Sequence, residues 1–188
     1  MYADENLSNR NTLKAAHEVT VREALAGELQ EVGDLTIRAF REYRPLLTPQ
    51  FIDWYEEDIR DVSGRLSSGT VLVADLGGRL AGTVTLLADG SGYGMHGWPL
   101  AWPVIRLLAV DPPARRHGIG MLLAAACVDR ARAVGVLTLG LHTAPFMAAA
   151  RALYEGLGFE RVPEYDVEEP GSPPALAYRL QLGGAGVS

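Results

Sequence analysis

Cysteine, basic charge and long apolar runs are all scarce in this sequence. Cys127 is the only cysteine in 188 residues, so no intrachain disulfide can form and no cysteine cluster can bind a metal. Lys and Arg number 17 against 23 Asp and Glu, a formal net charge of −6. Neutralising nucleic-acid phosphates requires a surplus of basic residues on one face, so this balance argues against nucleic acid as the main partner.

No stretch of the sequence indicates targeting to or insertion in a membrane. The N-terminal residues do not combine basic charge with an apolar run, and no uninterrupted apolar stretch reaches membrane-spanning length. The sequence therefore predicts a cytoplasmic protein with no membrane partner. With one cysteine and no cysteine cluster, it also predicts no metal.

The length and composition predict one globular domain between two short tails. Hydrophobic residues make up 48% of the chain and charged residues 21%, which is ordinary for a soluble domain that folds without disulfides. Residues 1–16 are polar and aperiodic and predict a flexible tail. The domain is expected over 17–183, with a C-terminal tail at 184–188.

The hydrophobic periodicity predicts an α+β fold. Four helices are expected: at 28–43, in a segment that opens at Thr48-Pro49, at 118–134 and at 145–157. Pro45 is expected to end the first of them. Strands are expected at 17–25, 70–75, 80–87, 104–110 and 136–141, from 158 onward, and at 175–182. The order β–α–α–β–β–β–α–β–α–β–β predicts a mixed central sheet of six to seven strands flanked by about four helices.

The stretch from Leu107 to Gly120 carries the clearest chemical signal. A buried strand ends at Val110, a turn rich in proline and arginine follows, and a helix begins near Gly118. The first amides of a helix lack intrahelical acceptors and, with the helix dipole, favour an anion such as pyrophosphate. Taken alone, this pattern also fits a purely structural turn. A dinucleotide-binding turn would need Gly-x-Gly-x-x-Gly, which the glycines at 118 and 120 do not provide.

Two motifs in this region resemble those of the GNAT superfamily of N-acetyltransferases. The run Val-Asp-Pro-Pro-Ala-Arg-Arg-His-Gly-Ile-Gly at 110–120 matches every specified position of that family's acyl-CoA signature. A later run, Ala-Ala-Arg-Ala-Leu-Tyr-Glu-Gly-Leu-Gly-Phe at 149–159, resembles the family's second motif. The resemblance implies a single GNAT-like domain that transfers acetyl from acetyl-CoA directly to the amine of an acceptor, with a homodimer as a possible assembly.

The resemblance also implies roles for individual residues. The family's central strand splays from its neighbour and exposes backbone groups to the pantetheine arm, a role that falls here to Leu108, Ala109 and Val110. The pyrophosphate would lie against the loop made of Arg115, Arg116, His117, Gly118, Ile119 and Gly120. Tyr154 takes the position of the general acid that protonates the departing CoA thiolate. Cys127 is expected to be a small buried residue, and no role is assigned to His142.

The chain departs from the family pattern in two places. Met147 stands where the family commonly has asparagine, and Trp102, Pro103 and Val104 occupy the region where many members have a glutamate base. The general base therefore stays open among six side chains: Glu42, Tyr43, Asp53, Glu56, Glu57 and His96. The acceptor is expected between residues 28–62 and 89–103, whose aromatic and acidic side chains suit an amine.

Two other functions stay open at this point. A GNAT-like module could bind acyl-CoA without turnover, and the two departures favour that alternative. A nucleotide-binding fold unrelated to the GNAT family is the other alternative.

Overall fold

In the part of the chain that the structure describes, seven β-strands form one mixed sheet in the order β1-β2-β3-β4-β5-β7-β6. The computed structural model describes residues 19–91, 93, 97–168 and 170–183, so the predicted tails at 1–16 and 184–188 lie outside the described residues. The strands are β1 (Val19–Glu23), β2 (Gly69–Leu76), β3 (Arg79–Leu87), β4 (Val104–Val110), β5 (Thr138–Thr143), β6 (Glu160–Arg161) and β7 (Leu176–Gln181). All sheet neighbours are antiparallel except β4 and β5. The predicted α+β class with a mixed sheet is confirmed.

Five α-helices accompany the sheet in the described part of the chain. They are α1 (Leu29–Phe40), α2 (Pro49–Arg60), α3 (Val62–Ser68), α4 (Ile119–Ala133) and α5 (Ala148–Gly156). No helix in the described ranges is both long enough and apolar enough to cross a membrane.

The first half of the chain differs from the prediction at two helices. The first α-helix ends at Phe40 rather than 43, and Pro45 lies inside a 3-10 segment, Arg41–Leu46, that follows it. The short α3 was not predicted. It begins because the Asp61 carboxylate accepts a hydrogen bond from the Gly64 N–H at 2.8 Å, an N-cap placed directly after α2.

The central strands are buried on both faces of the sheet. Side chains alternate along β2, so Leu72 packs toward α4 and α5 while Val71 and Val73 pack toward α1 and α3. Because both faces are buried, the sequences of these strands are nearly continuous apolar runs. The two layers of helices fix β4 between them, and the functional features are built on this strand.

The strands β4 and β5 separate part-way along their length. Their pairing covers Val104 with Gly140 and Ile105 with Leu141 and goes no further. On the other edge of β4 the register with β3 shifts between Thr83 and Thr85, and Leu107 has a φ of +51°. This β-bulge turns the second half of β4 away from β5. The splay that the resemblance implied is therefore present, and it lies beside this bulge.

Candidate active site

A cleft of about 420 Å³ opens where β4 and β5 diverge. Its floor is the bulged part of β4, and one wall comes from the end of β5 and from α5. The opposite wall is aromatic and comes from α1, α2 and the residues between them. A cleft of this size suits a small ligand or one arm of a larger one.

The predicted anion-binding loop connects β4 to α4. After β4 the chain makes a 3-10 turn, Pro112–Ala114, and Arg116 and Gly118 then adopt left-handed conformations with φ of +67° and +75°. Such conformations within a loop can turn successive N–H groups toward one concave surface. Gly118 is the N-cap of the 15-residue α4, whose first amides lack intrahelical acceptors. The loop thus has the backbone geometry of an anion site.

The Arg115 guanidinium fastens this loop to the end of α1. Its Nη2 donates to the Ala39 carbonyl at 2.9 Å and lies 2.8 Å from the Glu42 carboxylate, while its Nε donates to the Val110 carbonyl at 3.4 Å. Its charge stays beside the loop, but the side chain also holds the loop in place. Arg116 is exposed, and the His117 ring donates from Nδ1 to the Arg115 carbonyl at 2.8 Å.

Alternation along β4 decides which backbone groups face the cleft. The Asp111 N–H donates to the Ala81 carbonyl at 3.0 Å, so Ala109, two residues earlier, also directs its backbone groups toward β3. Its side chain packs against α1. Leu108 and Val110 direct their backbone groups to the opposite, open edge. Of the three strand residues predicted to contact pantetheine, Leu108 and Val110 therefore turn toward the open edge, where the Val110 carbonyl already accepts from Arg115.

Tyr154 lies on α5 and lines the cleft beside Leu107 and Leu108. Its ring packs edge-on against Phe159 with the ring centroids 5.7 Å apart, and the residue is 5% exposed. Burial raises the pKa of the Tyr154 hydroxyl, so the phenol keeps its proton at neutral pH. Met147 lines the same wall, where its thioether offers only a weak hydrogen-bond acceptor.

The other half of the cleft is aromatic with one ion pair. The Phe51 and Tyr55 rings stack with centroids 5.4 Å apart, and Tyr55 meets Phe40 edge-on at 5.8 Å. Among the described residues that line the cleft, Asp58 and Arg106 are the only carboxylate and guanidinium, and they pair with each other. This half therefore suits an amine that carries an apolar body.

Of the six predicted base candidates, Tyr43 alone lines the cleft in the described part of the chain. Glu42 pairs with Arg115, and Glu56 pairs with Arg44 at 3.2 Å. Two further candidates, Asp53 and Glu57, are exposed on α2 outside the cleft, and His96 lies outside the described residues.

The structure brings His142, which has no predicted role, into the cleft. Its Nδ1 lies 2.9 Å from the Tyr93 hydroxyl and its Nε2 lies 2.8 Å from the Tyr165 carbonyl oxygen. The ring lies against the rings of Tyr93 and Trp98, with centroid distances of 5.5 and 4.6 Å. Burial lowers the pKa of His142, which favours the neutral imidazole. A polar residue near the end of β5, next to the predicted splay, was the signal that could have identified it.

Gly140 on β5 has no side chain, and the Trp98 ring occupies the space beside it and packs against His142. A Cβ at Gly140 would overlap the Trp98 ring at Cζ2 and lie 2.7 Å from its Cη2. Because Trp98 is buried and packed, Gly140→Ala is expected to destabilise the protein by about 1–3 kcal/mol. Thermal unfolding measures this change, and altered Trp fluorescence would report the displaced ring. An unchanged Tm and spectrum would show that Trp98 does not occupy this position.

The described ranges offer neither an accessible thiol nor a cluster of metal ligands. Cys127 is fully buried, and burial raises the pKa of its thiol to about 12, so it is not an available nucleophile. Within those ranges no group of three His, Cys, Asp or Glu residues is placed to hold a metal ion. The predicted absence of a metal stays a prediction.

Comparison with known proteins identifies a family and several relatives. The family model described as "Acetyltransferase (GNAT) family" matches residues 30–159, more than half of the chain. The [ribosomal protein bS18]-alanine N-acetyltransferases of Salmonella typhimurium and of Escherichia coli K12 are each 46% identical over 52 residues. Those residues are 28% of this chain, and the match spans about a third (35%) of the length of these curated relatives.

Solved structures with the same fold cover most of the chain. The ribosomal-protein-S18-alanine N-acetyltransferase of E. coli aligns with a TM-score of 0.66 and 24% identity, over 90% of this chain and 97% of the other. The PaiA N-acetyltransferase of Thermoplasma acidophilum, solved with coenzyme A, has a TM-score of 0.68 and 12% identity over 87% and 98%. The yncA acetyltransferase of S. typhimurium, solved with acetyl-CoA, has values of 0.62 and 19% over 91% and 97%. At these identities the likeness shows the fold.

Proposed function

The chain belongs to the acetyltransferase (GNAT) family, and we propose that it transfers the acetyl group of acetyl-CoA to a primary amine. The observation that carries this proposal is the splay of β4 from β5 beside the anion-binding loop. It leaves the free edge of β4 facing a cleft that also contains Tyr154 and an aromatic half. We place the acetyltransferase domain at 17–183, and a cytoplasmic location and a homodimer stay predictions.

The proposed binding mode uses both ends of the cleft. The pyrophosphate of acetyl-CoA lies against Arg116–Gly120 and the N-terminus of α4, where free amides and the helix dipole favour an anion. The pantetheine arm pairs with the backbone groups of Leu108 and with the Val110 N–H, because the Val110 carbonyl already accepts from Arg115. The fold-level likeness to two acetyltransferases solved with coenzyme A or acetyl-CoA supports this assignment.

The proposed chemistry is direct transfer. The amine attacks the thioester carbonyl, and a β4 N–H near the bulge stabilises the oxyanion that forms. As the intermediate collapses, the C–S bond breaks and the Tyr154 hydroxyl donates a proton to the CoA thiolate. The burial of Cys127 supports a ternary complex over an acyl-cysteine intermediate, and holding both reactants in one cleft supplies the proximity.

The acceptor is proposed as an amine with an apolar body. The aromatic rings around Phe51 and Tyr55 bind that body, and their faces attract its positive charge before deprotonation. The curated relatives acetylate an alanine of ribosomal protein bS18. A protein N-terminal amine therefore belongs in the acceptor screen beside lysine and small amines.

Binding of acyl-CoA without turnover is the second candidate function. Met147 and the side chains Trp102, Pro103 and Val104 favour it, because none of them supplies the amide or the carboxylate common in the family. Release of CoA in the presence of amines separates the two functions, since a binding module would retain acetyl-CoA affinity without releasing CoA.

The Gly118→Trp variant tests the acetyl-CoA site. A Cβ at Gly118 meets no atom within 4 Å, so the loop has space for the change, but the indole would occupy the surface proposed for pyrophosphate. We expect affinity for acetyl-CoA to fall at least about tenfold, the loss of some 1.4 kcal/mol of binding free energy. Calorimetric titration with acetyl-CoA, with desulfo-CoA and NAD as comparison ligands, measures the loss.

Gly135→Trp is the matched control. Gly135 has a φ of +76°, close to the +75° of Gly118, also has open space at its Cβ, and follows the opposite end of α4. It carries the same backbone strain without touching the loop, so acetyl-CoA binding should be retained. Equal losses in both variants would attribute the effect to strain in α4, and absence of binding by the unmodified protein would overturn the proposed function.

A further inference from the structure

We propose that Tyr93 and His142 form a proton relay that accepts the proton released by the attacking amine. The inference rests on the proposed function and supplies the base that the sequence left open. Both residues line the cleft that Leu107, Leu108 and Tyr154 also line. In the described part of the chain, no carboxylate among the predicted candidates lines that cleft.

The hydrogen bonds of His142 fix the direction in which a proton can move. A backbone carbonyl can only accept, so the contact between Nε2 and the Tyr165 oxygen requires the proton to be on Nε2. In the neutral ring Nδ1 is then an acceptor, and the Tyr93 hydroxyl, 2.9 Å away, donates to it. The Tyr93 oxygen keeps a lone pair, with which it can accept a hydrogen bond from an amine in the cleft.

The surroundings of the ring keep it in this state. Trp98 lies against the imidazole, and desolvation lowers its pKa, so the ring is neutral and able to accept a proton at neutral pH. A phenol alone, with a pKa of about 10, is a poor proton acceptor, whereas the imidazole behind it can take the proton.

The charged groups around the relay are two ion pairs. The Arg161–Asp166 pair, at 2.7 Å, lies beside Tyr165; its carboxylate raises the pKa of His142 and its guanidinium lowers it. Burial raises the pKa of the Tyr93 hydroxyl, so the phenol passes a proton on without resting as a phenolate. Arg106, which pairs with Asp58, lies 6.0 Å from the centroid of the Tyr93 ring and only partly offsets that rise. The other titratable groups that line the cleft in the described ranges are the phenols of Tyr43, Tyr55 and Tyr154.

The proton balance of the reaction closes with this relay. When the N–C bond forms, the amine nitrogen gives a proton to the Tyr93 oxygen as the Tyr93 proton passes to Nδ1 of His142, which becomes imidazolium. When the C–S bond breaks, Tyr154 gives its proton to the CoA sulfur. The imidazolium then releases its proton to solvent and the Tyr154 phenolate takes one up, so amide and CoA thiol form with no net change in protons.

The test compares the full-length wild type with His142→Gln and Tyr93→Phe. A panel of primary amines is screened with acetyl-CoA, and kcat and kcat/KM for the fastest acceptor are measured against pH. A positioned base contributes roughly 10²–10⁴-fold to the rate. Because water can still accept some of the protons when either side chain is replaced, we expect kcat to fall about 10²-fold in each variant. The affinity for acetyl-CoA, measured by calorimetry, should be unchanged.

The pH profile separates a relay from a structural role. Only the unprotonated amine attacks, so log kcat/KM falls with a slope of about one as the pH falls. Below the ordinary histidine pKa of 6.5, protonation of His142 also removes the proton acceptor, and the wild-type slope becomes about two. Both variants should lose this steepening. Tyr178→Phe, which removes a hydroxyl outside the cleft, should keep the wild-type profile.

Each result either supports or overturns the relay. Loss of kcat together with the steep limb, at constant acetyl-CoA affinity, supports it. If either variant has a kcat within about threefold of the wild-type value, or keeps the wild-type pH slope of kcat/KM, the relay is overturned and the proposed function stands. Absence of wild-type turnover on every amine overturns both. Nitrogen NMR of the ring adds a check that needs no activity: a neutral ring protonated on Nδ1 would also overturn the relay.

Discussion

Tyr154→Phe is expected to lower kcat by about 10²–10⁴-fold while leaving the affinity for acetyl-CoA unchanged. The departing CoA thiolate has a conjugate acid with a pKa of about 8.5, by analogy with cysteine, and needs a proton as the C–S bond breaks. Burial raises the pKa of the Tyr154 phenol, so the proton is present throughout the neutral range. Phenylalanine retains the ring that packs against Phe159 and removes only the hydroxyl.

Single-turnover and steady-state kinetics on the fastest acceptor measure this loss, and calorimetry measures the binding of acetyl-CoA. Tyr178→Phe is the matched control, because its hydroxyl donates to Glu155 at 2.9 Å and lies outside the cleft. We expect that control to lose stability, by about 1 kcal/mol, rather than kcat. An unchanged kcat in Tyr154→Phe would assign the proton of the leaving group to another donor.

Much of the fold could be predicted from local patterns. The strand that ends at Val110, the turn after it and the helix that begins near Gly118 depend on short-range signals: an apolar run, a pair of prolines and glycines at a helix start. Their positions in the structure differ from the prediction by about one residue. The splay of β4 could be expected from the family resemblance, and the bulge at Leu107 now gives its physical cause.

The site residues that the sequence did not reveal depend on contacts between distant segments. His142 gains its place from Tyr93, 49 residues earlier, and from the Tyr165 carbonyl, 23 residues later. Arg115 reads as a phosphate ligand in its motif, yet its guanidinium also binds the Ala39 carbonyl across 76 residues. Periodicity and motif spacing carry no information about such pairings, because tertiary packing decides them.

The short α3 was missed for a different reason. Its seven residues are fewer than two turns of periodicity, and a glycine and three serines in it favour a loop on propensity alone. The Asp61 cap and the burial of Val62 and Arg65 stabilise it in the folded protein. Arg65 donates to the carbonyls of Asp58 and Ile59, at 2.9 and 2.8 Å, and so ties α3 to the end of α2 beside the aromatic half of the cleft.

Gly69→Ala is expected to destabilise the protein by about 3 kcal/mol or more, because a methyl group there would meet backbone atoms. Gly69 is the first residue of β2 and pairs with Leu87. An ideal Cβ would overlap the Leu86 carbonyl oxygen and lie 2.7 Å from the Leu87 Cα. A side chain could rotate away from such a clash, but these atoms belong to β3, which β2 and β4 hold on both edges.

The measurement is thermal unfolding of Gly69→Ala beside Gly156→Ala. For a chain of this length, 3 kcal/mol corresponds to a fall in Tm of roughly 6–12 °C. Gly156 is the last residue of α5 and has no atom within 4 Å of an added Cβ, so alanine there should stabilise the helix by about 0.5–1 kcal/mol. The two changes add the same methyl group and should shift Tm in opposite directions. If Gly69→Ala left Tm unchanged, the start of β2 would pair with β3 in a register other than the one described. The position of β3, which pairs with the bulged edge of β4, would then differ as well.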